Sequence, residues 1–501
     1  MINSGLFPVR LEMSDFPYRS MTVLLITVFV LFCIIGATGP TVFHKKSYDN
    51  IPLTFDTNGE TTINQIIGNF EELNRLLWVN FKLFRQQTSF LSEAITITLN
   101  VIATGSLRSS SDNFNLIHDS TNTRHVTFDS GRTESQHVFL YDLETIAYSS
   151  YNTTFSFTKP TALQEPLIAS IHVHYVNAEY TSFEMGFKYT FFAITLLILF
   201  APSGFISQLN QIPVKNWSKE QYWVLVLLEV LLLFNDPFIA GEVFSDSAKG
   251  LRLLYIFFQI TFITLLFTFW ISVIEDARNT ERRGFGSSRE SGANTEMSVS
   301  MMLCKYGPKV IYMGTLYVLL LVVFMQISVR SEGDPTYNGF NDTSLRPEEI
   351  ALLTFLSLYI IFLFLLLIRS MIRFREMTPP YKFIVILTIV VIVLSFAALL
   401  SGFYTAFQSS VVFLVFHGLL NLYIWTLAYC YLPVTQDEMN RLHNLSDFQR
   451  GAYGHDSDFM TTAGLITLSS ESSSQPSTEE EDEEIEVELG NSNKPPVSIP
   501  L

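Results

Sequence analysis

The residues of this chain best suited to chemistry are polar and ionisable groups set inside long apolar runs. At such positions water is scarce and an unpaired charge is costly, so the group faces a partner or a cavity. One set holds Glu229 and the run Asn235-Asp236-Pro237-Phe238. The other holds His417, Gly418 and Asn421, followed by Tyr423, Trp425 and Tyr429. Pro237 frees a backbone carbonyl, and Asp236 is an acceptor beside it. The functional reading is a polar-lined cavity organised by Asp236 and Asn421 and open toward the outside or the outer leaflet. The structural reading is a helix stop at Asn235-Asp236-Pro237-Phe238 and an interhelical hydrogen bond from Asn421. Glu229 and His417 form an ion pair if their two runs lie side by side.

Other chemistries find less support. No HExxH, paired intramembrane Asp motif, GxSxG or P-loop occurs, which points away from an enzyme and from any cofactor. His172 and His174 stand two apart, on one face of a strand, but no third metal ligand has a recognisable spacing, and simple alternation with Ile and Val accounts for them. The three cysteines, Cys33, Cys304 and Cys430, fall in or beside apolar runs, which excludes a disulfide scaffold and a cysteine zinc site. Asn152 (Asn-Thr-Thr) and Asn341 (Asn-Asp-Thr) are glycosylation acceptors if they face outside. Ser477 and Thr478 precede the acidic run Glu479 to Glu488 and suit an acid-directed kinase, with sorting adaptors as the readers of the added charge.

The elements that carry these residues follow from hydropathy. The chain has 501 residues, 48% of them apolar, with 44 Phe, too oily for an ordinary soluble protein. A bilayer core about 30 Å thick needs roughly 20 apolar residues as helix. Eight stretches qualify: 20–38, 187–206, 222–240, 253–274, 310–329, 350–370, 383–403 and 411–432. The first has the look of a signal peptide, since Arg10 and Arg19 precede it. Its length and Pro40 favour a retained span. Lys and Arg collect at 278–305 and 369–382, which puts both termini in the cytoplasm and residues 40–186 outside.

The expected fold class is a polytopic α-helical membrane protein with an inserted extracytoplasmic β-sandwich. A cytoplasmic segment (1–19) precedes the first helix (20–38), the sandwich (40–186), seven further helices (187–432) and an acidic tail (433–501). Within 40–186, period-two alternation marks strands at LLWVNFKL from Leu76, AITITLNV from Ala94, TTFSFT from Thr153 and IASIHVHY from Ile168, with loops near Gly105 to His125. The Ser, Gly and Arg-rich stretch 278–304 reads as a flexible loop, and the Ser-rich, acidic tail cannot bury enough apolar area to fold alone. The net charge of −16 suggests a repelling, acidic surface, but much of it sits in the run Glu479 to Glu488 and says little about the folded part; no nucleic-acid partner is expected.

Three stretches taken together carry a family resemblance. They are WSKEQYWVLVLL from Trp217 leading into LLLFNDPF, EGDPTY from Glu332, and GLLNLYIWTLAYCYLP from Gly418. On these the chain resembles the transmembrane protein 181 family, relatives of the Wntless cargo receptor among GOLD-domain seven-helix membrane proteins. The resemblance implies a GOLD-like sandwich followed by a seven-helix bundle like that of G-protein-coupled receptors. It implies a receptor of the Golgi, endosomes and plasma membrane, binding a lipid or a lipid-modified secreted protein, with a bacterial toxin as a further partner. Asn235, Asp236, Pro237 and Phe238 match the family's motif, as do Gly418, Leu419, Leu420 and Asn421; Glu229 and His417 do not. Signalling through a G protein is the alternative, although no Asp-Arg-Tyr-type arginine ends the run Leu251 to Asp276. A transporter or channel ranks lower, because the halves show no internal repeat and a large threaded domain suits a receptor.

Overall fold

The computed structural model describes residues 9–12, 17–56, 60–85, 93–106, 115–128, 131–146, 148–158, 167–244, 249–284, 299–333, 346–372, 374–377, 379–405 and 409–434. Strand alternation builds its first half. In β3 (Arg75–Arg85) Leu77, Val79, Phe81 and Leu83 are all buried while the residues between them are half-exposed, as a strand with one face on a core requires. It pairs with β8 (Leu167–Val176) on one side and β6 (Val138–Thr145) on the other, and β1 (Phe43–Pro52) closes the sheet in the order β1-β8-β3-β6, antiparallel throughout. The second sheet runs β2-β7-β4-β5, from β2 (Glu60–Gly68), β7 (Ser150–Thr158), β4 (Glu93–Ser106) and β5 (Asn115–Phe128). Side chains of both sheets, among them Ile67, Phe128, Tyr151 and Phe155 against Val79, Phe81, Tyr141 and Ile171, make one core between them. The segment expected to loop near Gly105 to His125 instead enters β5, an edge strand whose polar sequence hides its pairing with β4.

Ten helices are described: α1 (Tyr18–Thr38), α2 (Ala178–Phe200), α3 (Phe205–Leu209), α4 (Lys219–Phe234), α5 (Ile239–Phe244), α6 (Lys249–Gly284), α7 (Val299–Gly333), α8 (Pro347–Ile372), α9 (Pro379–Thr405) and α10 (Ser410–Cys430). Among the described residues eight spans are long and apolar enough to cross a membrane, α2 with α3 and α4 with α5 each counting as one. The chain is therefore a multi-pass membrane protein with the sandwich inserted between its first and second spans. Several boundaries differ from expectation. α2 starts at Ala178, nine residues before its apolar run, because the Asn177 side chain caps it by accepting from the Glu179 backbone N–H at 3.1 Å. α6 and α7 extend into the segment read as a loop at 278–304, reaching Gly284 and beginning again at Val299.

Connectivity puts the C-terminal ends of α1 and α4 and the N-terminal ends of α2, α6 and α10 on the sandwich side of the bundle. α1 lies along α10, where glycine permits close approach. A Cβ on Gly36 would stand 2.7 Å from the Cα of Val411, and one on Gly418 would stand 2.6 Å from the Phe32 ring. At the opposite end residues 9–12 fold back onto the end of α10. The Arg10 backbone N–H donates to Leu432 O at 2.9 Å, and Val9 and Leu11 are buried in the bundle core.

Candidate functional site

α4 opens with a capping box in which Ser218 and Gln221 satisfy each other's backbone N–H groups. It ends sixteen residues later, at Phe234. Asp236 adopts the left-handed conformation at φ 53°, which Asp tolerates better than most residues, and Pro237 supplies no N–H to continue the ladder. The break turns two side chains inward. Asn235 and Asn421 of α10, both fully buried, exchange amide hydrogen bonds: Asn235 Nδ2 donates to Asn421 Oδ1 at 2.8 Å and Asn421 Nδ2 donates to Asn235 Oδ1 at 2.9 Å. Asn421 Nδ2 also donates to the His417 carbonyl at 2.9 Å. The two motifs thus meet through their asparagines, across spans three and eight.

Asp236 turns to a different partner. Lys188 of α2 is 1% exposed, and its ammonium donates to Asp236 Oδ2 at 3.1 Å and to the Tyr255 hydroxyl of α6 at 3.2 Å, while pairing with Glu184 Oε1 at 2.9 Å. Three acceptors satisfy its three protons. Glu184, one helical turn before Lys188, also accepts from the Arg75 guanidinium at the start of β3. Gln259 donates to the Tyr255 hydroxyl from the next turn of α6. A continuous polar chain therefore runs Arg75, Glu184, Lys188, Asp236, from the sandwich to the helix break. Burial works against the Arg75 charge, but Glu184, with Glu242 farther off, outweighs it, and the Arg75 pKa is raised.

The remaining candidates divide. His417 is buried with its ring stacked on Phe234 at 5.2 Å and flanked by Phe413 and Phe416. Neither of its ring nitrogens meets a side-chain partner. Glu229 is exposed on the outer surface of α4, so the ion pair with His417 does not form. Its place on the helical turn points it away from the face that carries Leu228, Leu231 and Asn235. Pro237 is half-buried, Phe238 is 41% exposed, and Gly418 faces Phe32 of α1, where it permits packing. Trp425 donates to Thr195 of α2 at 3.0 Å, and the Tyr423 hydroxyl pairs with Thr388 at 2.9 Å.

On the outer face of the first sheet, His172 bonds Ser47 at 2.9 Å and Ser170 at 3.3 Å, and His174 stacks on Trp78 at 5.1 Å. Burial, with Lys45 and the neighbouring histidines, pushes the His174 pKa down to about 4. Among the described residues no three His, Cys, Asp or Glu side chains meet as a metal site would require. Asn152 sits half-buried near the start of β7, between Ile66 of β2 and Thr104 of β4. Asn341, Ser477 and Thr478 lie outside the described residues.

Arg75, Glu184, Lys188 and Tyr255 are not among the residues expected from the sequence. One signal was available: Lys188 stands just inside the apolar run that begins at 187, with Glu184 four residues before it on the same helical face, and a lysine there calls for a buried partner. Arg75 carried no such signal, because its contact spans 109 residues of chain.

The Wntless-like transmembrane domain model matches residues 177–435, which include Glu184, Lys188, Asn235, Asp236, Tyr255 and Asn421. Transmembrane protein 181 of Homo sapiens is 30% identical over 278 residues, 51% of this chain and 53% of that protein. The match thus spans about half the length of this curated relative.

Proposed function

The chain belongs to the Wntless-like transmembrane domain family, and from that membership we propose that it is a non-enzymatic receptor or cargo-binding protein of the secretory pathway and cell surface. The sandwich takes an extracytoplasmic protein, and the bundle takes a lipid or the lipid of a modified ligand. A GOLD-like identity for the sandwich, glycosylation at Asn152 and Asn341, cytoplasmic termini, adaptor binding to the tail and toxin binding belong to the same reading. The observation that carries it is the polar chain from Arg75 to Asp236, which ties the ligand-accessible domain to the one helix break at the sandwich side of α4. A receptor whose two parts must respond together needs such a tie. A conduction path is less well supported, because Lys188, Asn235 and Asn421 spend their hydrogen bonds on protein partners.

The test is affinity purification of the full-length protein in mild detergent, with mass spectrometry of the lipids and proteins that accompany it, beside the Asp236→Ala/Asn421→Ala variant. A lipid or acylated protein retained by the wild type and lost by the variant supports the reading. Equal recovery of trafficking proteins alone, from both, would move the search to the sandwich.

A further inference from the structure

Away from the polar centre, α1 lies along α10 and meets the bundle at several levels. Near its start Tyr18 meets Phe383 of α9 edge-on, ring centres 5.7 Å apart, and farther along Phe32 closes on Gly418 of α10. Between these contacts α1 stands away from α9, and a hollow of about 110 Å³ opens. Leu25, Ile26 and Phe29 of α1, Val390 of α9, and Leu422 and Tyr423 of α10 are among its walls. No polar atom is exposed in it, the Tyr423 hydroxyl being turned to Thr388.

The hollow lies deep in the bilayer. At 1.5 Å per residue, Leu25 to Phe29 stand ~10–17 Å from the Tyr18 end of α1, Leu422 and Tyr423 ~11–12 Å from the Cys430 end of α10, and Val390 ~17 Å from the Pro379 end of α9. These three ends lie on the same side, opposite the sandwich. The walls therefore share one depth, near the middle of a hydrocarbon core about 30 Å thick.

Chemistry and size select the occupant. Water gains no hydrogen bonds in an all-carbon hollow, and engineered apolar cavities of about 150 Å³ stay dry and take up small hydrocarbons instead. A second protein segment at this depth must be helical, and a helix about 10–12 Å across does not enter so small a space. An acyl chain is slender, flexible and wholly apolar. The source follows from the rim: Ile26 and Val390 are 58% and 45% exposed, so the hollow opens sideways to the bilayer, from which a phospholipid chain reaches it directly. We propose that this hollow is a binding groove for one acyl chain of a bilayer phospholipid, entering laterally from the leaflet on the Tyr18 side. With no free polar group in the walls, the groove selects for the chain and is indifferent to the headgroup. This site is separate from the polar centre and does not depend on the receptor reading.

The experiment uses the full chain in nanodiscs of phosphatidylcholine carrying a photoreactive diazirine near the middle of one acyl chain, with labelled residues mapped by mass spectrometry. Ile361 and Leu365 of α8, 56% and 59% exposed, serve as the reference for ordinary lipid contact. The expected result is labelling of the Leu25 to Phe29 and Leu422 to Tyr423 segments several-fold above that of α8. Ile26→Trp should fill the groove and lower labelling at Val390 and Leu422 several-fold while leaving α8 unchanged. Ile26 is 58% exposed, so the larger side chain has room at the rim. Labelling of the groove no stronger than that of α8 in the wild type overturns the proposal by itself, as does a groove signal that Ile26→Trp leaves intact.

Discussion

Replacing Lys188 with methionine removes one positive charge and keeps the volume of the side chain, so its effect reports on the charge. In the wild type, Arg75 and Lys188 balance Glu184 and Asp236 within the hydrogen-bonded chain. Contacts of 2.9 and 3.1 Å are each worth about 5–6 kcal/mol before desolvation at an effective dielectric constant near 20. Burying the ammonium offsets much of that gain. What the variant exposes is the other side of the balance, a carboxylate at Asp236 that is 3% exposed and has lost its cation. Breaking a buried pair in this way costs about 3–5 kcal/mol, equivalent to roughly 10²- to 10⁴-fold in the folding equilibrium. Adding Asp236→Asn restores neutrality, leaving Arg75 with Glu184, and should recover most of the loss. The assay is thermal unfolding in detergent followed by size-exclusion fluorescence of wild type, Lys188→Met, Asp236→Asn and the double variant. A Lys188→Met protein as stable as the wild type, or a double variant no better than the single, would show that the buried charge balance does not set the stability.

Asn235→Ala should destabilise by about 1–3 kcal/mol because the Asn421 amide oxygen is left buried without its donor, whereas Asn235→Leu/Asn421→Leu should come closer to wild type; a double-mutant cycle on thermal unfolding reads the coupling. Gly36→Leu drives a side chain into the Val411 backbone, so α1 should separate from α10. Faster modification of the half-buried Cys33 by a lipophilic maleimide is the expected readout. His174 is held neutral in the fold, its pKa near 4 against 6.5 for a free histidine. The unfolded chain therefore takes up a proton first as the pH falls, and the stability this group contributes is complete above about 6.5 and lost progressively toward 4. Urea unfolding of the sandwich signal at pH 7.5 and 4.5 should show this loss, and His174→Gln should reduce it.

Much of the architecture was legible because burial on one face leaves a period in the chain. The alternating runs from Leu76, Ala94, Thr153 and Ile168 are β3, β4, β7 and β8, strands that lie inside their sheets. β1, β5 and β6 are edge strands, and β1 in particular reads HKKSYDN, with no apolar alternation to betray it. The break in α4 was legible in Asn235-Asp236-Pro237-Phe238 because proline and a left-handed aspartate act locally. Which residue each would meet was not. Asn235 finds Asn421 across 186 residues, and Lys188 finds Asp236 across 48, contacts that depend on how whole helices pack. Glu229 illustrates the converse: an acid in an apolar run suggested an inward role, but its place on the helix surface turns it outward.

Arg75, Glu184, Lys188 and Asp236 should make the sandwich and the helix break behave as one unit. Hydrogen–deuterium exchange of the full-length protein in nanodiscs, comparing wild type with Arg75→Ala, tests this most directly. Faster exchange is expected at β3 and also at residues 234–240 around the break, which Arg75 does not touch. Exchange that quickens at β3 while residues 234–240 stay as protected as in the wild type would contradict this coupling.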